Sequence, residues 1–162
     1  MKKTLLLATF AVLACTAPAF AAAAPHAGDV APAMSLPKTT GGTLSLASLK
    51  GKAVYLNFFA SWCGPCNEEA PSIAALQRKY KSKGLVVVGI DEQEDASKAK
   101  GFLAKYKLPY SAVTDADGSE GRAYGVLALP VHVFIDRNGK VSTYRLGEMN
   151  PGEIEAAIKK TL

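Results

Sequence analysis

The stretch Ala53-Val54-Tyr55-Leu56-Asn57-Phe58-Phe59-Ala60-Ser61-Trp62-Cys63-Gly64-Pro65-Cys66 decides the fold. Ala53 to Phe59 is an apolar run of strand type, and Leu85 to Ile90 is a second. Runs without strict alternation suit strands buried on both faces, as in a parallel sheet covered by helices. Between them the spacing predicts a helix from about Cys66 to Lys81, with Ile73, Leu76 and Tyr80 on one face. Glu68 and Glu69 are read as first-turn acids favoured by the helix dipole, and Pro71 as a kink. Strand, helix and strand in that order make a right-handed βαβ unit.

Working outward, Met34 to Leu36 and Thr43 to Leu46 flank a Pro-Lys-Thr-Thr-Gly-Gly stretch and read as an N-terminal β-hairpin. Asp95 to Tyr106 reads as a helix, Tyr110 to Thr114 as a short strand and Glu120 to Tyr124 as a helical turn. Val131 to Ile135 and Val141 to Leu146 form a hairpin around Asn138-Gly139, a strong turn signal. Pro151 to Thr161 closes the chain as a helix burying Ile154, Ala157 and Ile158.

The chain has 162 residues, three cysteines and a formal net charge of +5. Apolar residues make up 49% and charged residues 20%, which suits one globular domain and excludes a disordered tail or a many-span membrane protein. The leader distorts these totals. Lys2 and Lys3, the apolar Leu5 to Ala14 and the Ala19-Phe20-Ala21 site form a secretory signal, residues 1–21. Without it the net charge is +3, and that mild basicity predicts no nucleic-acid partner. Residues 22–33 read as a flexible linker, and 34–162 as the folded domain. Two other readings stand beside cleavage: an uncleaved membrane tether, and lipidation at Cys15 within Val12-Leu13-Ala14-Cys15. All three leave the domain outside the cytoplasm, periplasmic in a cell with two membranes.

Cys63 and Cys66 then carry the chemistry. A C-x-x-C pair opening a helix puts two sulfurs within bonding distance, the first at the helix N-terminus. Unpaired N–H groups and the dipole there stabilise a thiolate. Cys63 is therefore expected to be exposed, with a lowered pKa, and Cys66 to be shielded and to resolve the mixed disulfide. A structural staple closing so short a loop would contribute only about 2 kcal/mol by chain-entropy extrapolation. Zinc needs four ligands, with only His26 and His132 to supplement the pair, and haem attachment needs a His where Asn67 stands. No metal and no cofactor is expected. His132, alone in a strand, reads as a packing residue.

Phe58-Phe59-Ala60-Ser61-Trp62-Cys63-Gly64-Pro65-Cys66 resembles the thioredoxin active-site strand and turn, Pro71 its helix-kink proline, and Leu129-Pro130 its cis-proline loop. The N-terminal hairpin and the inserted helix–strand segment resemble the extracytoplasmic TlpA/ResA group. The resemblance implies a thioredoxin fold, a central mixed sheet flanked by helices. It implies thiol–disulfide oxidoreductase activity on protein disulfides or dithiols, by a monomer, with a membrane electron donor of the DsbD type. It also implies substrate contacts at Trp62, Leu129 and Pro130, with Gly64 and Pro65 forming the active-site turn. Thioredoxin carries a proton-accepting Asp where this chain has Asn57; the resemblance offers Glu92 as a substitute, with Asp91 next. The Gly64-Pro65 pair is that of reducing thioredoxins. Three rival readings remain: a disulfide oxidase, a reductant of apocytochrome c thiols, and a binding module with a structural C-x-x-C. The Gly-x-Pro-Glu-Thr signature of the cytochrome c maturation proteins is not matched by Ala128-Leu129-Pro130-Val131-His132.

Overall fold

Strand β3 (Ala53–Phe59) is buried along its whole length, as an apolar run without alternation demands. In this computed structural model, which describes residues 23–162, it is the middle of a five-stranded sheet ordered β5-β4-β3-β6-β7. Helix α1 (Gly64–Tyr80) returns the chain to β4 (Leu85–Glu92), parallel to β3. Helix α2 (Ala96–Tyr106) returns it to β5 (Ser111–Asp115), parallel to β4. A short helix α3 (Ser119–Ala123) then leads to β6 (Val131–Ile135), antiparallel to β3, and to β7 (Val141–Leu146). Helix α4 (Pro151–Thr161) closes the chain. A separate hairpin, β1 (Ser35–Pro37) and β2 (Thr43–Ser45), is joined to the sheet edge where Thr39 N donates to Ala112 O at 3.0 Å.

Alternation along the strands divides the core in two. Tyr55, Val87 and Phe134 face α1 and α4, where they meet Ile73, Ile154 and Ile158. Phe59 and Ala112 meet α2 and the two cysteines. Leu56, Phe58, Val88, Ile90 and Val133 face the other way, toward Leu36 and Tyr124. Each such side chain, once buried, contributes roughly 1.5–3 kcal/mol of transfer free energy. The closing helix is also well started. Asn150 Oδ1 accepts from Glu153 N, Glu153 Oε2 accepts from Asn150 N, and Pro151 needs no N–H partner in the first turn.

Two sequence readings need correction. Helix α1 begins at Gly64 rather than Cys66, so its first turn holds no acid and Glu68 and Glu69 lie beyond it. Glu69 is buried. The expected linker does not stay flexible to residue 33. Gly28 N donates to Val141 O, Val141 N to Asp29 O, and Ala31 N to Gly139 O, so residues 28–31 run antiparallel along the edge of β7. Ala31 is buried, and the unpaired N–H and C=O groups of β7 supply a template that composition does not reveal. The signal sequence and Cys15 lie outside the described residues.

Candidate active site

Cys63 caps α1. Its sulfur accepts from Cys66 N at 3.2 Å, and its carbonyl accepts from Asn67 N at 3.1 Å. The two sulfurs are bonded at 2.00 Å, with Cα atoms 5.3 Å apart. Pro65 sits in the first turn, where its missing N–H costs no helix bond. The turn is fixed from outside the motif. Ser61 N and Ser61 Oγ both donate to the Glu94 carboxylate, at 2.5 and 2.7 Å. Asn67 Nδ2 donates to the Ser61 and Cys63 carbonyls, and Asn67 Oδ1 accepts from Tyr106 Oη at 2.6 Å, which ties the motif to α2. Glu94 and Asn67 were not foreseen as site residues. Gln93, with φ at +55°, reverses the chain after β4 so that Glu94 returns to Ser61, and no periodicity signals that.

The expected exposure of Cys63 is not found. In the disulfide form Cys63 is 4% exposed and packs with Phe59, Ala60 and Leu129, because its sulfur turns inward to reach Cys66. Trp62 is instead the exposed member, at 73%, and with Glu92, Gln93 and the Val126 to Leu129 loop it lines a shallow groove. Leu127, 83% exposed, stands at its rim. The Leu129–Pro130 peptide bond is cis, and Pro130 O accepts from Gly147 N at 2.9 Å.

Three carboxyls near this end of the sheet are buried, and burial pushes each upward: Glu69 to about 7, Asp91 to about 8 and Glu92 to about 8. The neighbouring Glu94 adds to the shift of Asp91, and Asp115 to that of Glu92. Their faces differ. Asp91 pairs in register with Phe59 and shares its face, the face of the cysteines. Glu92, the next residue, turns to the opposite face and lies against Gly121, where it leaves no room for a Cβ. Glu69 lies three residues after Cys66 on the buried side of α1, hence one turn along the same face. Its Oε1 accepts from Met149 N at 2.5 Å, and its Oε2 faces His132 Nε2 at 3.4 Å. The structure thus groups Cys63, Cys66, Asp91 and Glu69 on one face. Glu92 falls in the groove with Trp62 and Leu129. Asn57 is buried beside His132 in register. Among the described residues no three His, Cys, Asp or Glu side chains are placed to share a metal ion.

Comparison with known proteins agrees with this geometry. The Redoxin family matches residues 26–162. The thiol-disulfide oxidoreductase ResA of Bacillus thuringiensis subsp. konkukian is 35% identical over 133 residues, covering 82% of this chain and 77% of the relative. That of Bacillus subtilis is 35% identical over 127 residues, covering 78% and 71%. Among solved structures, a thiol:disulfide interchange protein of the thioredoxin family from Chlorobium tepidum superposes with a TM-score of 0.73 at 29% identity, covering 87% of this chain and 99% of that one. A secreted Mycobacterium tuberculosis disulfide oxidoreductase, described as homologous to E. coli DsbE, superposes with a TM-score of 0.70 at 29% identity, covering 78% and 94%.

Proposed function

The chain belongs to the Redoxin family and is a thiol–disulfide oxidoreductase, and from that premise we propose that it reduces protein disulfides outside the cytoplasm. The observation that carries this reading is the Cys63–Cys66 disulfide at the first turn of α1, with an N–H already directed at Cys63 Sγ. In the reduced enzyme that N–H and the helix terminus stabilise the Cys63 thiolate.

The thiolate attacks one sulfur of the client disulfide. A bond forms between Cys63 Sγ and that sulfur, and the other client sulfur leaves as a thiolate. Cys66 then attacks Cys63 Sγ, restoring the intramolecular disulfide and releasing the second client thiol. Two electrons pass from the dithiol to the client. Before its attack Cys66 must lose a proton. We assign the acceptor role to Glu69 rather than Glu92, because Glu69 lies one turn along the buried face of α1 and Glu92 faces away. A carboxyl poised near 7 can take a proton at neutral pH and return it. Trp62, Leu129 and the backbone beside Pro130 are the client's contact surface, and Glu92 lines that groove.

The leader and the description of the Mycobacterium protein as secreted support a location outside the cytoplasm. An oxidising compartment requires electrons to be supplied to a reductant, which supports a membrane donor of the DsbD type. No helix among the described residues is long and apolar enough to cross a membrane. The test is a Cys66→Ser variant in extracts of that compartment. Accumulated mixed disulfides through Cys63 are expected, and their absence rejects the exchange mechanism. Equilibration with glutathione fixes direction: a potential at the oxidising end of the superfamily replaces the reductant with an oxidase.

A further inference from the structure

Behind the cysteines the proposed exchange leaves His132 unused. His132 is fully buried on β6, on the sheet face that α1 covers. Tyr55 Oη, also buried, lies 2.7 Å from its Nδ1. Its Nε2 has no hydrogen-bond partner among the described residues, and neither has Glu69 Oε2, the atom it faces at 3.4 Å. Two unpartnered buried polar atoms set against each other cost free energy unless they share a proton.

We propose that His132 is a positioning residue: its Nε2–H, with the tautomer set by Tyr55, holds the Glu69 carboxylate ready to take the Cys66 proton. This rests on the exchange mechanism above. Tyr55 Oη has no other acceptor than Nδ1 among the hydrogen bonds of the described residues, so its O–H donates there. A neutral imidazole that accepts at Nδ1 carries its proton at Nε2. Glu69 Oε2, 3.4 Å from Nε2, comes within reach of that N–H after a small rotation of either side chain, while Met149 N–H occupies Oε1. Both oxygens of the carboxylate are then served by donors, and hydrogen bonds to the charged form favour it.

The surroundings keep the imidazole neutral. Burial pushes His132 down to about 4, the nearby Gly147 backbone opposes that shift, and Arg145, its register partner on β7, acts with burial. Tyr110, by β5, faces Tyr55, and Glu148, before α4, faces Glu69 and raises it. Helix α4 contributes Ile154, Ala157 and Ile158 to this region. Burial still dominates at Glu69, so removing the donor drives its titration further upward.

The experiment follows the Glu69 carboxyl by 13C NMR against pH in the disulfide-bonded protein, with His132→Leu and His132→Gln. His132→Leu is expected to raise the Glu69 midpoint by about one pH unit, a tenfold fall in the ratio of ionised to protonated carboxyl. His132→Gln, which keeps a side-chain N–H near the Nε2 position, should recover at least half of that shift. A midpoint unmoved in His132→Leu overturns the proposal. Should that variant not fold, the 15N shifts of His132 in the unmodified protein decide. The Nε2–H tautomer supports the proposal, and the Nδ1–H tautomer rejects it. The titration is read without any client, so its failure is distinct from failure of the Cys66→Ser trap.

Discussion

The backbone N–H of Cys66 donates to Cys63 Sγ at 3.2 Å across the first turn of α1. The same donor serves the sulfur after reduction, when it carries charge. A charge-assisted hydrogen bond is about twice as strong as a neutral one. The reduced protein is therefore expected to alkylate first at Cys63, at a pH below the ~8.5 of a free cysteine thiol. Iodoacetamide labelling against pH, followed by peptide mapping, checks it. Equal labelling of both cysteines, with an ordinary thiol midpoint, contradicts the assignment of nucleophile and resolver.

Glu69 and Glu92 offer a direct contrast, since both are buried carboxyls pushed upward and only Glu69 lies on the face of α1 that holds Cys66. Glu69→Gln should lower the single-turnover rate of disulfide reduction by about 100-fold, the low end of what acid–base catalysis contributes. Its rate should also lose its inflection near neutral pH. Glu92→Gln should leave the inflection in place and change mainly KM for a protein disulfide. If Glu92→Gln removes the inflection and Glu69→Gln does not, the acceptor is Glu92.

Both βα units were legible in the sequence because fully buried strands announce themselves as apolar runs, and α1 through Ile73, Leu76 and Tyr80. The cysteine pair was legible because its spacing alone sets its chemistry. Glu69 was not. In sequence it is one of two adjacent acids near a helix start, and only the packing of α1 on β6 and on the Met149 backbone makes it buried. His132 read as a lone packing residue because its partners are 77 and 63 positions away. The β7-edge segment at 28–31 was hidden by its Ala, Pro and Gly content, which signals a linker whether or not a strand edge waits for it.

Trp62 gives a cleaner test of the client surface, since an exposed side chain contributes little to folding. Trp62→Ala should leave the thermal midpoint within about 2 °C, because a surface change is usually within ±0.5 kcal/mol. It should reduce kcat/KM for a protein disulfide by about tenfold or more, the loss expected of an aromatic anchor. Reduction of a small disulfide such as oxidised glutathione should change far less. Equal losses on both substrates would mean that the indole acts on the cysteines rather than on the client.

Ser61 and Glu94 form the tie that sets the entrance to the motif. Glu94→Ala leaves the Ser61 N–H, part-buried, without its acceptor, at a cost of about 1–2 kcal/mol. Urea denaturation of the disulfide-bonded protein should show that loss, with the m-value unchanged. Glu94→Gln retains an oxygen acceptor and should recover part of it. A Glu94→Ala variant as stable as the parent means that water replaces the carboxylate at no cost.

The buried carboxyls also set how stability depends on pH. Glu69 sits at about 7, and Asp91 and Glu92 at about 8, all above their ordinary values of 4.5, 3.8 and 4.5. Between roughly pH 4.5 and 8 the folded chain holds protons that the unfolded chain has given up. Their contribution is complete below the unfolded values and is lost as pH rises through the folded ones. His132 works in the opposite sense. Lowered from 6.5 to about 4, it refuses a proton that the unfolded chain accepts, so its contribution is lost as pH falls through that window. Above pH 6.5 only the carboxyl effect remains among these four. The thermal midpoint of the disulfide-bonded protein should therefore fall steadily from pH 6.5 to 8.5. Asp91→Asn, which cannot ionise, should flatten that slope, because it removes one of the three raised carboxyls. A midpoint that rises over this range in the parent protein would show that the carboxyls are ionised in the fold, paired with charges or solvated.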